Sequence, residues 1–226
     1  MSIKVAQCWD DGTVNDIKVA ELCRKYNAKA TFNINPGLRS QTKRVFRWDT
    51  GDFKVIGLSR DEMKSVYRGF KVASHNWCHE CAGKYPDELF VQSALDARHW
   101  IEDTFDQEAP GYAWPCGVTT PKTLELLREA GFLYARTIAD TDRVSSYQDP
   151  LLLNPSCHFS NPDFWERFEK AKADGIFYFW GHSFEMHDEP ERWRAFEEQL
   201  ARLSADPEVE WIDVADIVRS QVPEKK

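Results

Sequence analysis

Apolar and polar residues along this chain switch repeatedly between a period of two and a period near 3.6, the signatures of strands and helices. Residues 4–9 alternate and run into Asp10-Asp11-Gly12, which predicts a strand ending in a loop. Residues 15–26 space Ile17, Ala20, Leu22 and Cys23 as one helix face does. Further strands are predicted over 30–34, 70–73, 111–114, 134–138, 151–153, 176–180 and 209–212. Helices fall between them. One opens on the capping box Ser59-Arg60-Asp61-Glu62 and runs towards Arg68; another covers 86–105. A third takes Thr120 as its cap, Pro121 as its first residue and Gly131 as its end. A fourth is capped by Asn161-Pro162 and runs to Gly175, and two more cover 190–204 and 214–221. Residues 45–56 read as a hairpin insertion turning at Asp49-Thr50-Gly51-Asp52.

Strands alternating with helices imply parallel strands joined by crossover helices, hence the α/β class. The units fit a distorted or incomplete (β/α) barrel of about seven parallel strands, with a doubly wound open sheet as the alternative. A single domain is expected over residues 1–222, with 223–226 a frayed tail.

Composition narrows the partners. The 226 residues are 42% apolar and 29% charged, which suits a globular chain with a sizeable core. A net charge of −8 disfavours nucleic acid and anionic membrane surfaces. No apolar run is long enough to span a bilayer. The first residues enter a strand directly, without the basic start, apolar stretch and small-residue site of a signal peptide, so a cytoplasmic location is expected. The six cysteines are accordingly read as reduced. Cys78-His79-Glu80-Cys81 has CxxC spacing, but a structural zinc site usually takes a second such pair. The nine Trp residues suit stacking on sugar faces, although core packing is the better account of any single aromatic residue.

In a (β/α) barrel the reactive groups sit at the C-terminal ends of the strands. Polar outliers collect there in this chain: Asp10-Asp11 after the first strand, His75 and His79 after the third, Pro115-Cys116-Gly117 after the fourth, and His182 after the strand ending at Trp180. Adjacent carboxylates repel, and a cation beside them removes the conflict; the bland alternative is a solvated turn. Two His four residues apart on one helical turn reach a single metal ion. Adding an Asp gives a His, His, Asp set that leaves positions open for water, as catalytic sites require. Such a set suits one divalent ion, zinc first, with cobalt, nickel, manganese or iron also compatible. His182 follows an apolar strand beside Gly181 and suits a general acid, or else a loop His bonded to Glu185.

The motifs in their order resemble those of the polysaccharide deacetylases of the NodB homology type, also called carbohydrate esterase family four. Cys8-Trp9-Asp10-Asp11-Gly12 is similar to that family's Thr-Phe-Asp-Asp-Gly, Ala30-Thr31-Phe32 to its second-strand segment, and His75 to His79 to its His-Ser/Thr-x-x-His. Tyr112-Ala113-Trp114-Pro115-Cys116-Gly117 resembles its Phe-Ala-Tyr-Pro-Tyr-Gly, and Trp180-Gly181-His182 its Leu-x-His. The likeness runs from about Lys4 to Val214. It implies a distorted (β/α) barrel, with Asp10 as general base, Asp11, His75 and His79 as metal ligands, and the Cys116 N–H on the oxyanion. Trp180 then forms the acetyl pocket wall and His182 is the general acid. The implied reaction is removal of the N-acetyl group from an amino sugar in a saccharide.

The departures are specific. The family's motif-three Arg is replaced by Pro110, and Arg136 is the candidate substitute. Asn76 stands where Ser or Thr is usual, and could still tie its loop by a hydrogen bond. The fourth motif has only Asp140 and Asp142 as candidates. Tyr112, Trp114, Arg136 and His158 join Cys116 and Trp180 in the set expected to meet substrate. The competing readings are a deformylase, an allantoinase-like hydrolase of a cyclic ureide, a non-catalytic glycan-binding protein and, weakest, a structural zinc protein using Cys78 and Cys81. Oligomeric state is left open by the sequence.

Overall fold

The structure, a computed structural model, describes residues 2–221; the tail expected to fray lies outside the described residues. In chain order the elements are β1 (Ile3–Asp10), α1 (Asp16–Lys25), β2 (Thr31–Ile34), β3 (Val45–Asp49), β4 (Lys54–Gly57), α2 (Arg60–Val66), β5 (Lys71–Ser74) and α3 (Asp87–Phe105). There follow β6 (Gly111–Ala113), α4 (Pro121–Glu129), β7 (Tyr134–Arg136), β8 (Cys157–His158), α5 (Phe164–Asp174), β9 (Ile176–His182), α6 (Pro190–Ala205), β10 (Val209–Trp211) and α7 (Val214–Arg219).

Seven strands pair in the order β7-β6-β5-β2-β1-β9-β8, and β10 adds to β1. Among the described residues every strand pair in this sheet is parallel, and the separate β3–β4 hairpin is antiparallel. β10 and β2 divide one edge of β1 between them, β10 against Ile3 to Val5 and β2 against Cys8 to Asp10. The sheet then curls towards closure. Leu153 bridges Arg136 at the β7 edge, and four residues later Cys157 pairs with Phe179 of β9. The result is the distorted (β/α) barrel. Among the described residues no helix is long and apolar enough to cross a membrane.

The period of two sorts side chains between an inner and an outer core. Val5 and Trp9 of β1 join Phe32, Phe177 and Phe179 in a core shared with α1, α5 and α6. Ala6 and Cys8 face the barrel interior with Tyr134, Leu153 and Tyr178, and α7 closes its base through Ile217 and Val218. Both faces are thus covered, which is why β1 is buried on all but one residue.

Two expected elements differ. Residues 151–153 do not form a strand: Pro150–Leu152 is a 3-10 turn, started by Pro and by Asp149 Oδ1 accepting the Leu151 N–H at 3.0 Å. Asn161 is not the cap of α5. Its Oδ1 accepts the Asp163 N–H at 2.9 Å in an Asx turn, so the helix starts only at Phe164.

Candidate active site

Asp10 continues the inward column of Ala6 and Cys8 to the mouth of the barrel. Strand register places Asn33 on one side of it and His182 on the other. Arg136, two residues beyond the inward Tyr134, comes to the same point from β7. Asp10 Oδ1 accepts the Asn33 amide N–H at 2.7 Å, and Oδ2 pairs with Arg136 Nη2. Burial alone would raise the Asp10 pKa, but Arg136, His75, His182 and Asn33 outweigh it and hold it down at about 2. Burial likewise works against the Arg136 cation, and the Asp10 carboxylate reverses the effect, pushing Arg136 further above its ordinary range. The guanidinium carbon also lies 4.4 Å from the centre of the Trp180 ring. Arg136 therefore reaches Asp10 from β7, whereas Pro110 stands just ahead of β6.

The next carboxylate points elsewhere because the backbone turns sharply. Asp11 has φ 77 and Gly12 φ 61, and a Cβ on Gly12 would sit 2.8 Å from Met63 Cε. Asp11 Oδ1 is buried and makes no hydrogen bond. It faces His75 Nε2 at 3.8 Å and His79 Nε2 at 3.7 Å. These three ligand atoms lie within 4.8 Å of one another. His75 Nδ1 is 2.9 Å from the Ala113 carbonyl oxygen, so an Nδ1–H donates there and leaves the Nε2 lone pair towards Asp11. Burial pushes the His75 pKa down to about 4, which keeps the ring neutral.

His75 and His79 do not share a helical turn as expected. Their segment is a loop in which Asn76 and His79 both have φ 59, and this reversal brings the rings to 4.7 Å. Asn76 ties the loop by donating to Glu80 O at 3.2 Å and accepting from Tyr112 Oη at 2.7 Å. Tyr112 is thereby spent in the core and does not reach the cavity wall, contrary to its place in the expected substrate set. The loop is further tied by a disulfide between Cys81 and Cys116, with Cα atoms 5.9 Å apart. This corrects the expectation that all cysteines are reduced and removes Cys78 and Cys81 as a pair; Cys78 stays free and exposed.

His182 Nε2 stands 4.0 Å from both Asp10 Oδ2 and Asp11 Oδ2, while Nδ1 is 3.3 Å from Glu185 Oε1. Burial opposes its charge, but Glu185, Asp10 and Asp11 prevail and raise its pKa to about 9. The other Glu185 oxygen is 3.0 Å from His158 Nε2, and His158 Nδ1 is 2.8 Å from Ser160 Oγ. His158 is thus a partner of Glu185 and not part of the cavity lining. Asp140 and Asp142 pair with Arg167, each at 3.3 Å, and do not enter the site.

These groups open into a cavity of 560 Å³ that Trp114, Cys116, Ile138 and Trp180 also line. Arg47 and Trp48 of β3 line it too, as does Phe184, whose ring meets Trp48 edge-on at 5.2 Å. Sequence reasoning missed Arg47, Trp48, Phe184 and Asn33. For Asn33 a signal existed, an amide between the apolar Phe32 and Ile34 of a short strand. A separate cleft of 680 Å³ lies at the opposite ends of the strands, around Lys29, Phe70 and Lys71.

Comparisons with known proteins bear on the fold and the family. Streptococcus pyogenes deacetylase PplD, solved in complex with acetate, superposes with TM-score 0.53 at 20% identity over 65% of this chain and 61% of its own. A family 4 acetyl xylan esterase from Clostridium thermocellum, in complex with a cobalt ion, gives 0.58 at 16% identity over 96% and 91%. Peptidoglycan deacetylase PdaC from Bacillus subtilis gives 0.59 at 13% identity over 97% and 93%. At such identities the likeness is one of fold. Among curated sequences none matches. The sequence profile of polysaccharide deacetylases matches residues 2–135, more than half of the 226 residues. The chain belongs to the polysaccharide deacetylase family.

Proposed function

We propose that this protein is a metal-dependent hydrolase that removes the N-acetyl group from an amino sugar of an oligosaccharide or glycoconjugate, the described residues acting as one catalytic domain. The observation that carries the reading is the buried Asp11 Oδ1, which has no hydrogen-bond partner and faces two imidazole nitrogens at 3.7 and 3.8 Å. A buried carboxylate oxygen without a donor is costly. Distances too long for hydrogen bonds, between atoms that converge, suit ligands of one cation. The donor set therefore fits a divalent ion, with Asp11, His75 and His79 as its holders. When bound, that ion supplies Lewis acidity to the acyl oxygen and acidifies water.

The remaining groups divide the proton work. Asp10 stays ionised at neutral pH and accepts the proton of the attacking water, while Arg136 and Asn33 fix its orientation. His182, held protonated by Glu185, delivers a proton to the departing amine. The Cys116 N–H serves the oxyanion on the turn held by Cys81, and Trp114 and Trp180 give an apolar seat for the acetyl methyl. His158 supports Glu185 from behind.

The test is acetate release from a panel of N-acetylated oligosaccharides before chelation, after it, and after return of zinc or cobalt. Acetate that stops with chelator and resumes with metal supports the reading. Turnover of formamides or cyclic ureides without acetate release would overturn it.

A further inference from the structure

The β3–β4 hairpin is an insertion between β2 and α2 with no part in the proton work, yet it sends one cation into the cavity. Phe46 pairs with Ile56 and Trp48 with Val55, and the register shift between them makes Arg47 the extra residue of a bulge. Bulges re-aim the side chain they carry. Arg47 lines the cavity together with Asp11, Cys78 and His79. Its contacts are sparse: Nη1 is 3.5 Å from Asn35 Oδ1, and the guanidinium carbon is 5.4 Å from the centre of the Trp48 ring.

Behind it, buried Arg39 donates to Asp11 O and, at 3.2 Å, to the same Asn35 Oδ1. Its Nε has no partner. Two guanidiniums thus converge on one neutral amide oxygen, and among the described residues neither belongs to an ion pair. The other charges at the site are matched. Asp10 has Arg136, His182 has Glu185, and Asp11 has the two His residues that suit an ion. Asp11 is the carboxylate that both guanidiniums feel, with Asp16 adding its pull on Arg39, yet neither lies within ion-pair distance; in a chain of net charge −8, two cations sharing an acid that already faces two His residues is a specific placement. The planar fork of Arg matches carboxylate and phosphate groups.

We infer that Arg47, backed by Arg39, binds an anionic substituent of the substrate, so that the sugar acted on is acidic, carrying a carboxylate or phosphate near the acylated amine. The inference rests on the deacetylase reading for the reaction, and the experiment separates the two. Kinetics are measured for the zinc-loaded wild type and Arg47→Met on three matched substrates: a neutral N-acetylglucosamine oligomer, its lactyl-ether carboxylate and its phosphate ester. Wild type should favour an anionic member by roughly 10- to 100-fold in kcat/KM, the size of a charged hydrogen bond, and Arg47→Met should erase most of that ratio. Whichever anion shows the larger effect identifies the group. A wild-type preference for the neutral sugar, or a variant that loses all three substrates by one common factor, would overturn the inference. Should no substrate release acetate, calorimetric binding of the same three sugars to the zinc-loaded proteins decides. Tighter binding of an anionic sugar through Arg47 keeps the inference while the deacetylase reading fails, and equal binding of all three sinks the inference as well.

Discussion

Replacing Arg136 with Met keeps most of the stem volume but deletes the group that neutralises Asp10. The Asp10 carboxylate would then be buried with the Asn33 amide donating to it and the His182 cation, 4.0 Å from Oδ2 and too far for a hydrogen bond, as the charge that remains. Removing one partner of a buried ion pair costs about 3–5 kcal/mol, because the other charge is stranded. For a chain of this length each kcal/mol moves Tm by about 2–4 °C, so the metal-stripped variant should melt roughly 6–20 °C below wild type at pH 7. The pH dependence supplies an independent sign. In wild type the Asp10 pKa is depressed from 3.8 to about 2, so its contribution to stability is present above 3.8 and is lost as pH falls through about 2. In the variant that carboxyl titrates higher and protonation relieves the stranded charge. The gap between the proteins must therefore narrow as pH falls from 7 towards 4. Scanning calorimetry at both pH values measures it, and Asp10→Asn in the Arg136→Met background should recover part of the loss. A variant melting within about 2 °C of wild type at pH 7, or a gap that widens on acidification, would refute the reasoning.

Three further outcomes are expected. Asp10→Asn should retain bound metal, measured by elemental analysis, while losing most acetate release; full turnover would remove Asp10 as the base. Glu185→Gln takes away the main partner that raises the His182 pKa to about 9, so the alkaline limb of the kcat/KM profile should fall at lower pH in the variant than in wild type. An unmoved limb would show that Glu185 does not set the acid. Thiol titration of the denatured, unreduced protein should count four reactive groups of six, and Cys81→Ser with Cys116→Ser should lower stability by roughly 4 kcal/mol from loop entropy, with six thiols and unchanged stability as the contrary result.

The barrel was legible in the sequence because strand and helix periods alternate cleanly, and because chemistry-bearing residues stand at the ends of the apolar runs. Asp10, Asp11, His75, His79 and His182 could be grouped on that basis alone, and β1–β9 register explains why Asp10 and His182 meet. Arg136 was visible as a charged residue on a short apolar strand, but its contact with Asp10 depends on β6 and β7 curling inward. What remained hidden depends on contacts between distant loops. The Cys81–Cys116 bond joins loops 35 residues apart, and no spacing rule selects that pair from six cysteines. Arg47 reaches the cavity through a bulge, which breaks the period of two used to assign faces. Tyr112 carries the opposite lesson: its place in a motif put it among the substrate contacts, whereas its hydroxyl holds Asn76 in the loop behind them.

We propose above all that Asp11, His75 and His79 hold one divalent ion on which turnover depends. Stripped wild type and His75→Ala are titrated with zinc or cobalt while bound metal and acetate release are followed together. Wild-type turnover should rise in step with occupancy and break at one equivalent, and His75→Ala should neither hold the ion nor recover. Turnover that is full before metal is added, or that returns in His75→Ala as in wild type, would contradict it.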